Sequence, residues 1–185
     1  GFRLLPATED HLRTMVTLAD GGEVGFQEYF VGLRHNVPIS GIRFEGADDA
    51  LPGPGVLEAI TTAEAVVVAP SNPLVSIAPI LAVPGVRDAV AARRGSAVAV
   101  SPIVGGSALK GPADRMLAEM GHESSVVGVA RLYRDLVATL VIDRVDADLA
   151  DEVEAEGVRC VVTDTVMRTT DVAVALAKTA IEAVA

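Results

Sequence analysis

The sequence predicts an α/β protein, with three layers around a mostly parallel, Rossmann-like central sheet in a single domain over residues 1–185. Three observations carry this expectation. Short β-branched apolar runs recur at residues 65–69, 97–101, 138–143 and 159–164, as they do in strands buried on both faces. Helical segments separate these runs, which implies βαβ crossovers. Hydrophobic residues make up 50% of the 185 positions, yet aromatics reach only 3% and Trp is absent. That balance suits a Val-rich sheet covered by Ala-rich helices.

Taken in order, residues 15–18 read as a weak strand and residues 27–33 as an aromatic-rich helix or strand. Residues 41–46 read as a short strand in which Ile42 and Phe44 alternate. Residues 48–55 form a Pro/Gly turn region, and a short helix over 56–63 starts after Pro54. Strand 65–69 follows. Asn72 is a candidate N-cap, and Pro73 suits the first helical position, where its missing N–H would have been unpaired anyway. Helices 77–81 and 86–93 lead to strand 97–101. Helix 112–120 stops at Gly121, a residue suited to a left-handed cap. Helix 125–135, strand 138–143, helix 149–156 with its terminal Gly157, strand 159–164 and the Ala-rich helix 171–184 complete the alternation.

The chain carries 25 Asp and Glu against 15 Lys and Arg, a net charge of −10. Nucleic acid and anionic membrane both need a basic face, so neither is an expected partner. An anionic substrate needs a local positive pocket inside a negative envelope. The single cysteine, Cys160, cannot form an internal disulfide, and its apolar run at 158–162 reads as a buried thiol rather than a nucleophile. No apolar run approaches the ~20 residues that cross a bilayer. The mean hydropathy of +0.43 therefore reflects a buried sheet, and a cytoplasmic location is expected.

Four strands end in polar residues, at Ser71-Asn72, Ser101, Asp143 and Thr163-Asp164-Thr165. In a parallel sheet these ends share one edge, where such folds bind ligands. At the first, free amides and the hydroxyls of Ser71 and Ser76 would make an anion-binding mouth around Asn72 and Pro73. A capped junction without a ligand fits the residues equally well. At the second, Gly105-Gly106 allow positive φ and close approach to an anion, and Lys110 adds a compact positive charge. Gly111 after the lysine rules out a Walker A loop, and from residues alone a flexible turn with a solvated lysine is the plainer reading. The acidic run Asp143, Asp146, Asp148 and Asp151 lacks EF-hand spacing and reads as a solvated helix start. His11, His35 and His122 form no ligand pair, so zinc is not expected. Arg34 and His35 fit a substrate pocket or a surface turn. No Ser-His-Asp or Cys-His arrangement can be argued, and no catalytic residue is assigned.

Several blocks in register carry a family resemblance. They are Val68 to Leu81, Ser101 to Pro112, Gly25-Phe26-Gln27-Glu28-Tyr29-Phe30-Val31, Val141-Ile142-Asp143 and Asp164-Thr165-Val166-Met167. Together they resemble the 2-phospho-L-lactate transferase family, which builds the deazaflavin coenzyme F-420, in order from about Leu5 to Ala177. The resemblance implies transfer of a phospholactyl or phosphoenolpyruvyl group from a guanosine diphosphate-linked donor to the ribityl hydroxyl of the deazaflavin precursor. GMP leaves, and a Mg²⁺ ion bridges phosphate oxygens. Ser71, Asn72, Pro73 and Ser76 would hold nucleotide phosphate or ribose, with Gly105, Gly106 and Lys110 on the same cleft. The resemblance places the metal and deazaflavin residues mainly before Gly1. The chain is therefore read as the carboxyl-terminal portion of a longer enzyme, inactive by itself. A homodimer through the final helix is a further expectation. The gluconeogenesis-factor family, which binds a UDP-sugar, shares the plan of the first loop, so the alternative is a non-catalytic nucleotide-sugar-binding regulator.

Overall fold

The computed structural model describes residues 2–184. It begins with a small antiparallel sheet that the sequence pattern only partly foretells. Strand β1 (Arg13–Leu18) lies between β2 (Glu23–Gly25) and β3 (Ile39–Glu45). Val16 and Leu18 alternate inward and are buried. Of the helix and the strand left open for residues 27–33, the structure takes the helix, in its π form. Glu28–Gly32 form a π-helical turn, closed by the Leu33 N–H donating to the Glu28 carbonyl at 2.9 Å. The buried Tyr29 anchors this turn in a core with Val16, Ile39, Val75 and Met116.

Helix α1 (Val56–Thr62) leads to β4 (Val66–Val68). A second π-helical turn, Pro73–Ile77, runs into α2 (Ala78–Leu81), and α3 (Val86–Ala92) precedes β5 (Ala97–Val100). The loop after β5 is itself folded into a hairpin of β6 (Ile103–Val104) and β7 (Ser107–Ala108). Helices α4 (Ala113–Glu119) and α5 (Val126–Tyr133) return the chain to β8 (Thr139–Asp143). A 3₁₀ stretch (Arg144–Leu149) and α6 (Ala150–Ala155) lead to β9 (Arg159–Thr163), and α7 (Thr170–Glu182) follows.

Strands β4, β5, β8 and β9 pair in that order, every pair parallel. Ala97, Ala99, Leu140 and Ile142 face the core built with Leu117, Val129, Ala130 and Val153 of α4, α5 and α6. Val98, Val100 and Val141 face Leu176 and Ala180 of α7. Alternating residues of one strand therefore serve two layers, which is why the strands read as continuous apolar runs. No single helix among the described residues is long and apolar enough to cross a membrane.

The acidic run divides: Asp148 and Asp151 are exposed at the start of α6, as a solvated helix start requires, whereas the other two carboxylates are not solvated. Asp143 and Asp146 are buried. Asp143 accepts from the Val145 N–H (3.1 Å), the Thr165 N–H (2.8 Å) and the Thr165 hydroxyl (3.0 Å). It thereby ties the end of β8 to the segment after β9. Burial raises its pKa, but hydrogen bonds from Thr165, Val145 and Val166 outweigh burial and hold it below the ordinary carboxylate value. A lowered folded pKa means that this stabilisation is complete above the ordinary carboxylate pKa. It is lost as pH falls through the folded value.

Two measurements check this packing. Asp143→Asn should cost about 1–3 kcal/mol near neutral pH. In denaturant titrations the gap to the parent should close as pH drops below the carboxylate range. A Cβ on Gly128 in α5 would collide with the Glu123 carbonyl oxygen. Gly128→Ala should therefore destabilise by about 1–3 kcal/mol, although helix propensity alone predicts a gain of roughly 1 kcal/mol.

Candidate functional site

Because the four strands run parallel, their carboxyl ends lie along one edge. A cavity of about 820 Å³ opens there. Ser71, Asn72 and Ser76 line it from the segment after β4, Ser101 and Lys110 from the segment after β5, and Thr165 and Arg168 from the segment after β9. Among the described residues none between β8 and β9 is on the lining, although Asp143, at the end of β8, accepts hydrogen bonds from the lining residue Thr165. The antiparallel unit supplies a further wall, Phe26 and Phe30. Both π-helical turns thus border the cavity, in keeping with the frequency of such turns at functional sites.

Of the residues expected from sequence, Ser71, Asn72, Ser76 and Lys110 come together on this lining. Pro73 is buried at the start of the second π turn. Gly105 and Gly106 do not join the lining. They are the central residues of the β6–β7 hairpin, at φ +60° and +76°, the double positive φ of a tight two-residue turn. The Gly105 N–H points to the Asp146 carboxylate, at 3.1 and 3.0 Å from its two oxygens. That amide is committed to holding the hairpin.

The amide mouth expected at Asn72 is also closed. The Asn72 side-chain oxygen caps the turn, accepting from the Leu74 and Val75 N–H groups at 2.9 and 3.4 Å. The Ser76 and Ile77 N–H groups both donate to the Asn72 carbonyl, at 3.0 and 3.2 Å. The Asn72 amide nitrogen sits 3.6 Å from the Met116 sulfur. Asn72 is thus a framework residue first. The Ser101 hydroxyl is spent on the Ile103 backbone, at 3.0 and 3.1 Å, and the Thr165 hydroxyl on Asp143. Among the described residues the Ser71 and Ser76 hydroxyls carry no such commitment.

Charge separates this cavity from the rest of the surface. Its lining holds two cations, Lys110 and Arg168, and no Asp or Glu. Among the described residues neither cation has a carboxylate within ion-pair distance. Sequence reasoning missed Arg168, which lies one residue beyond the block Asp164 to Met167. It also missed Phe26 and Phe30 as lining, although an aromatic cluster in a chain so poor in aromatics was a visible signal. Arg34 and His35 are not on the lining. Cys160 is half-buried rather than buried, and burial together with Glu154 pushes its thiol up to about 11, far from a reactive thiolate.

A Mg²⁺ ion prefers carboxylate and phosphate oxygens. Among the described residues no group of three or more His, Cys, Asp or Glu side chains is placed to hold a metal ion. The lining has no carboxylate, and the nearby Asp143 and Asp146 oxygens are taken by backbone and hydroxyl donors. These donors do not fit Mg²⁺, and no step is assigned to it.

The chain is 45% identical to the phosphoenolpyruvate transferase of Streptomyces griseus over 98% of its length, covering 58% of that protein. It is 36% identical to the 2-phospho-L-lactate transferase of Methanocaldococcus jannaschii over 97% of its length, covering 57% of that protein. The chain thus spans somewhat more than half the length of these relatives. In fold it is similar to protein BH3568 of Bacillus halodurans, with a TM-score of 0.58 at 21% identity, covering 90% of this chain and 56% of that one. A second structure of that protein, described as a member of the UPF0052 family, gives a TM-score of 0.60 at 19% identity, covering 95% and 60%. The sequence model of the family described as 2-phospho-L-lactate transferase CofD matches residues 1–180, and the chain belongs to that family.

Proposed function

We propose that this chain forms the nucleotide-holding part of a transferase that moves a phospholactyl or phosphoenolpyruvyl group from a guanosine diphosphate-linked donor to a deazaflavin hydroxyl. One observation carries the reading. In a chain of net charge −10, the cavity at the sheet edge is lined by two cations that, among the described residues, have neither an ion-pair partner nor an acid beside them on the lining. A diphosphate is attracted into such a site and repelled by the surrounding surface. The names of the family and of the two transferase relatives support phospholactate or phosphoenolpyruvate as the acid moiety of that donor.

In the proposed step the acceptor hydroxyl oxygen attacks the phosphorus that bears the three-carbon acid. A new P–O bond forms and the bridging P–O bond of the diphosphate breaks. GMP leaves with the bridging oxygen and its electron pair, and the hydroxyl proton passes to solvent. The product is a phosphodiester. The lining offers no His, Asp or Glu as a base, so the part assigned to this chain is positioning and charge neutralisation, the main demands of phosphoryl transfer. Lys110 and Arg168 neutralise the leaving phosphate, and the Ser71 and Ser76 hydroxyls orient its oxygens.

Calorimetry with GDP tests this reading in the intact protein. Lys110→Ala and Arg168→Ala should each weaken GDP binding by about tenfold or more, the loss of one charge-assisted contact. Unchanged affinity in both variants, or tighter binding of a UDP-sugar than of GDP, would contradict it.

A further inference from the structure

Beyond its cations, the cavity has an aromatic wall that the phosphate chemistry does not use. The whole chain contains four Phe and two Tyr, and three of these fall within five positions, at Phe26, Tyr29 and Phe30. Tyr29 is buried, whereas Phe26 and Phe30 line the cavity. Their rings lie 5.6 Å apart, and the His35 imidazole stacks on Phe30 at 5.1 Å. An edge of Phe30 lies over Gly111, beside Lys110, with room for no more than a methyl group between them. Across the same lining, Leu109 and Met167 are 57% and 53% exposed, and Phe30 is 37% exposed. Large apolar side chains left open around one cavity mouth mark a place where a ligand covers them.

The wall is held rigidly. Arg115 of α4 donates to the Tyr29 hydroxyl at 2.5 Å and to the His35 carbonyl oxygen. Its guanidinium pairs with Glu119 at 3.2 Å, and Glu119 accepts from the Ile39 N–H at 3.0 Å. Arg34 and His35 occupy left-handed backbone, at φ +49° and +43°. Two consecutive non-glycine residues in that region are strained, and such strain persists only where the surroundings fix it. Arg115 and the stacked imidazole supply that fixing. The π-helical turn therefore presents the Phe30 ring at a set position, with the Phe26 ring, just ahead of the turn, against it.

We infer that Phe26 and Phe30 form a stacking subsite for a planar heteroaromatic ring of the bound ligand, with Arg115 as the residue that positions it. This rests on the transferase reading above and deepens it. Two ligands of that reaction carry such a ring, the guanine nucleotide and the deazaflavin acceptor, and either meets the chemistry of the wall.

The test uses Phe30→Leu, Phe26→Leu and Arg115→Met in the intact protein. GDP, a 5-deazaflavin riboside and ring-free inorganic pyrophosphate are titrated separately. The leucine variants keep apolar bulk and remove the π face. Each should weaken one ring-bearing ligand by about tenfold while pyrophosphate affinity stays unchanged, and the ligand that weakens identifies the ring. Phe30→Tyr should restore binding. Arg115→Met should weaken the same ligand and spare pyrophosphate. The inference is overturned if neither ring-bearing ligand weakens, or if pyrophosphate falls by the same factor as they do. Pyrophosphate and GDP binding that depend on Lys110 and Arg168 but ignore all three variants would leave the transferase reading standing and remove the aromatic subsite alone.

Discussion

The parallel pairing of β4, β5, β8 and β9 in chain order is the constraint on which the site depends. It puts four strand ends on one edge, and the segments that follow them must turn there. Apolar packing on both faces fixes this register, because a one-residue slip would exchange the residues facing α4–α6 with those facing α7. The small Ala97 and Ala99 and the branched Val98 and Val100 on alternate faces of β5 make such an exchange costly. The antiparallel unit then docks through Tyr29, Val75 and Met116, bringing Phe26 and Phe30 to the same cavity.

Buried carboxylates do framework work at this edge. Asp143 ties β8 to Thr165, and Asp146 holds Gly105. Asp143 thereby satisfies the Thr165 N–H, which would otherwise be buried without a partner. Lys110 and Arg168 are the charged residues on the lining, and among the described residues no Asp or Glu joins them there. An acidic protein can hold an anion only when its carboxylates are placed in this way or kept on the outer surface.

The parallel sheet was legible because strands buried on both faces carry an unbroken apolar pattern, and their polar ends at Ser71, Ser101 and Thr165 marked the edge. The antiparallel sheet was less so. Its strands mix Arg13, Thr14, Glu23 and Arg43 with apolar residues, and pairing between distant short segments leaves little local signal. For the Gly105-Gly106 pair the residues alone favour a flexible turn and the family resemblance implies an anion loop, and two glycines between short apolar pairs are equally a hairpin signal. Asn72 was rightly read as a cap, but the cap itself consumes the amides that a ligand would need. Sequence shows which groups can donate, whereas only the fold shows which are already engaged.

The central claim is that an anionic nucleotide is held at the carboxyl edge of the sheet by side-chain cations rather than by helix amides. A crystal structure of the intact protein soaked with GDP tests this most directly. The account predicts the diphosphate within hydrogen-bond reach of Lys110 and Arg168, with the nucleotide inside the cavity between the two π-helical turns. Phosphates bound at the opposite end of the sheet, or along the open edge of β4, would contradict it.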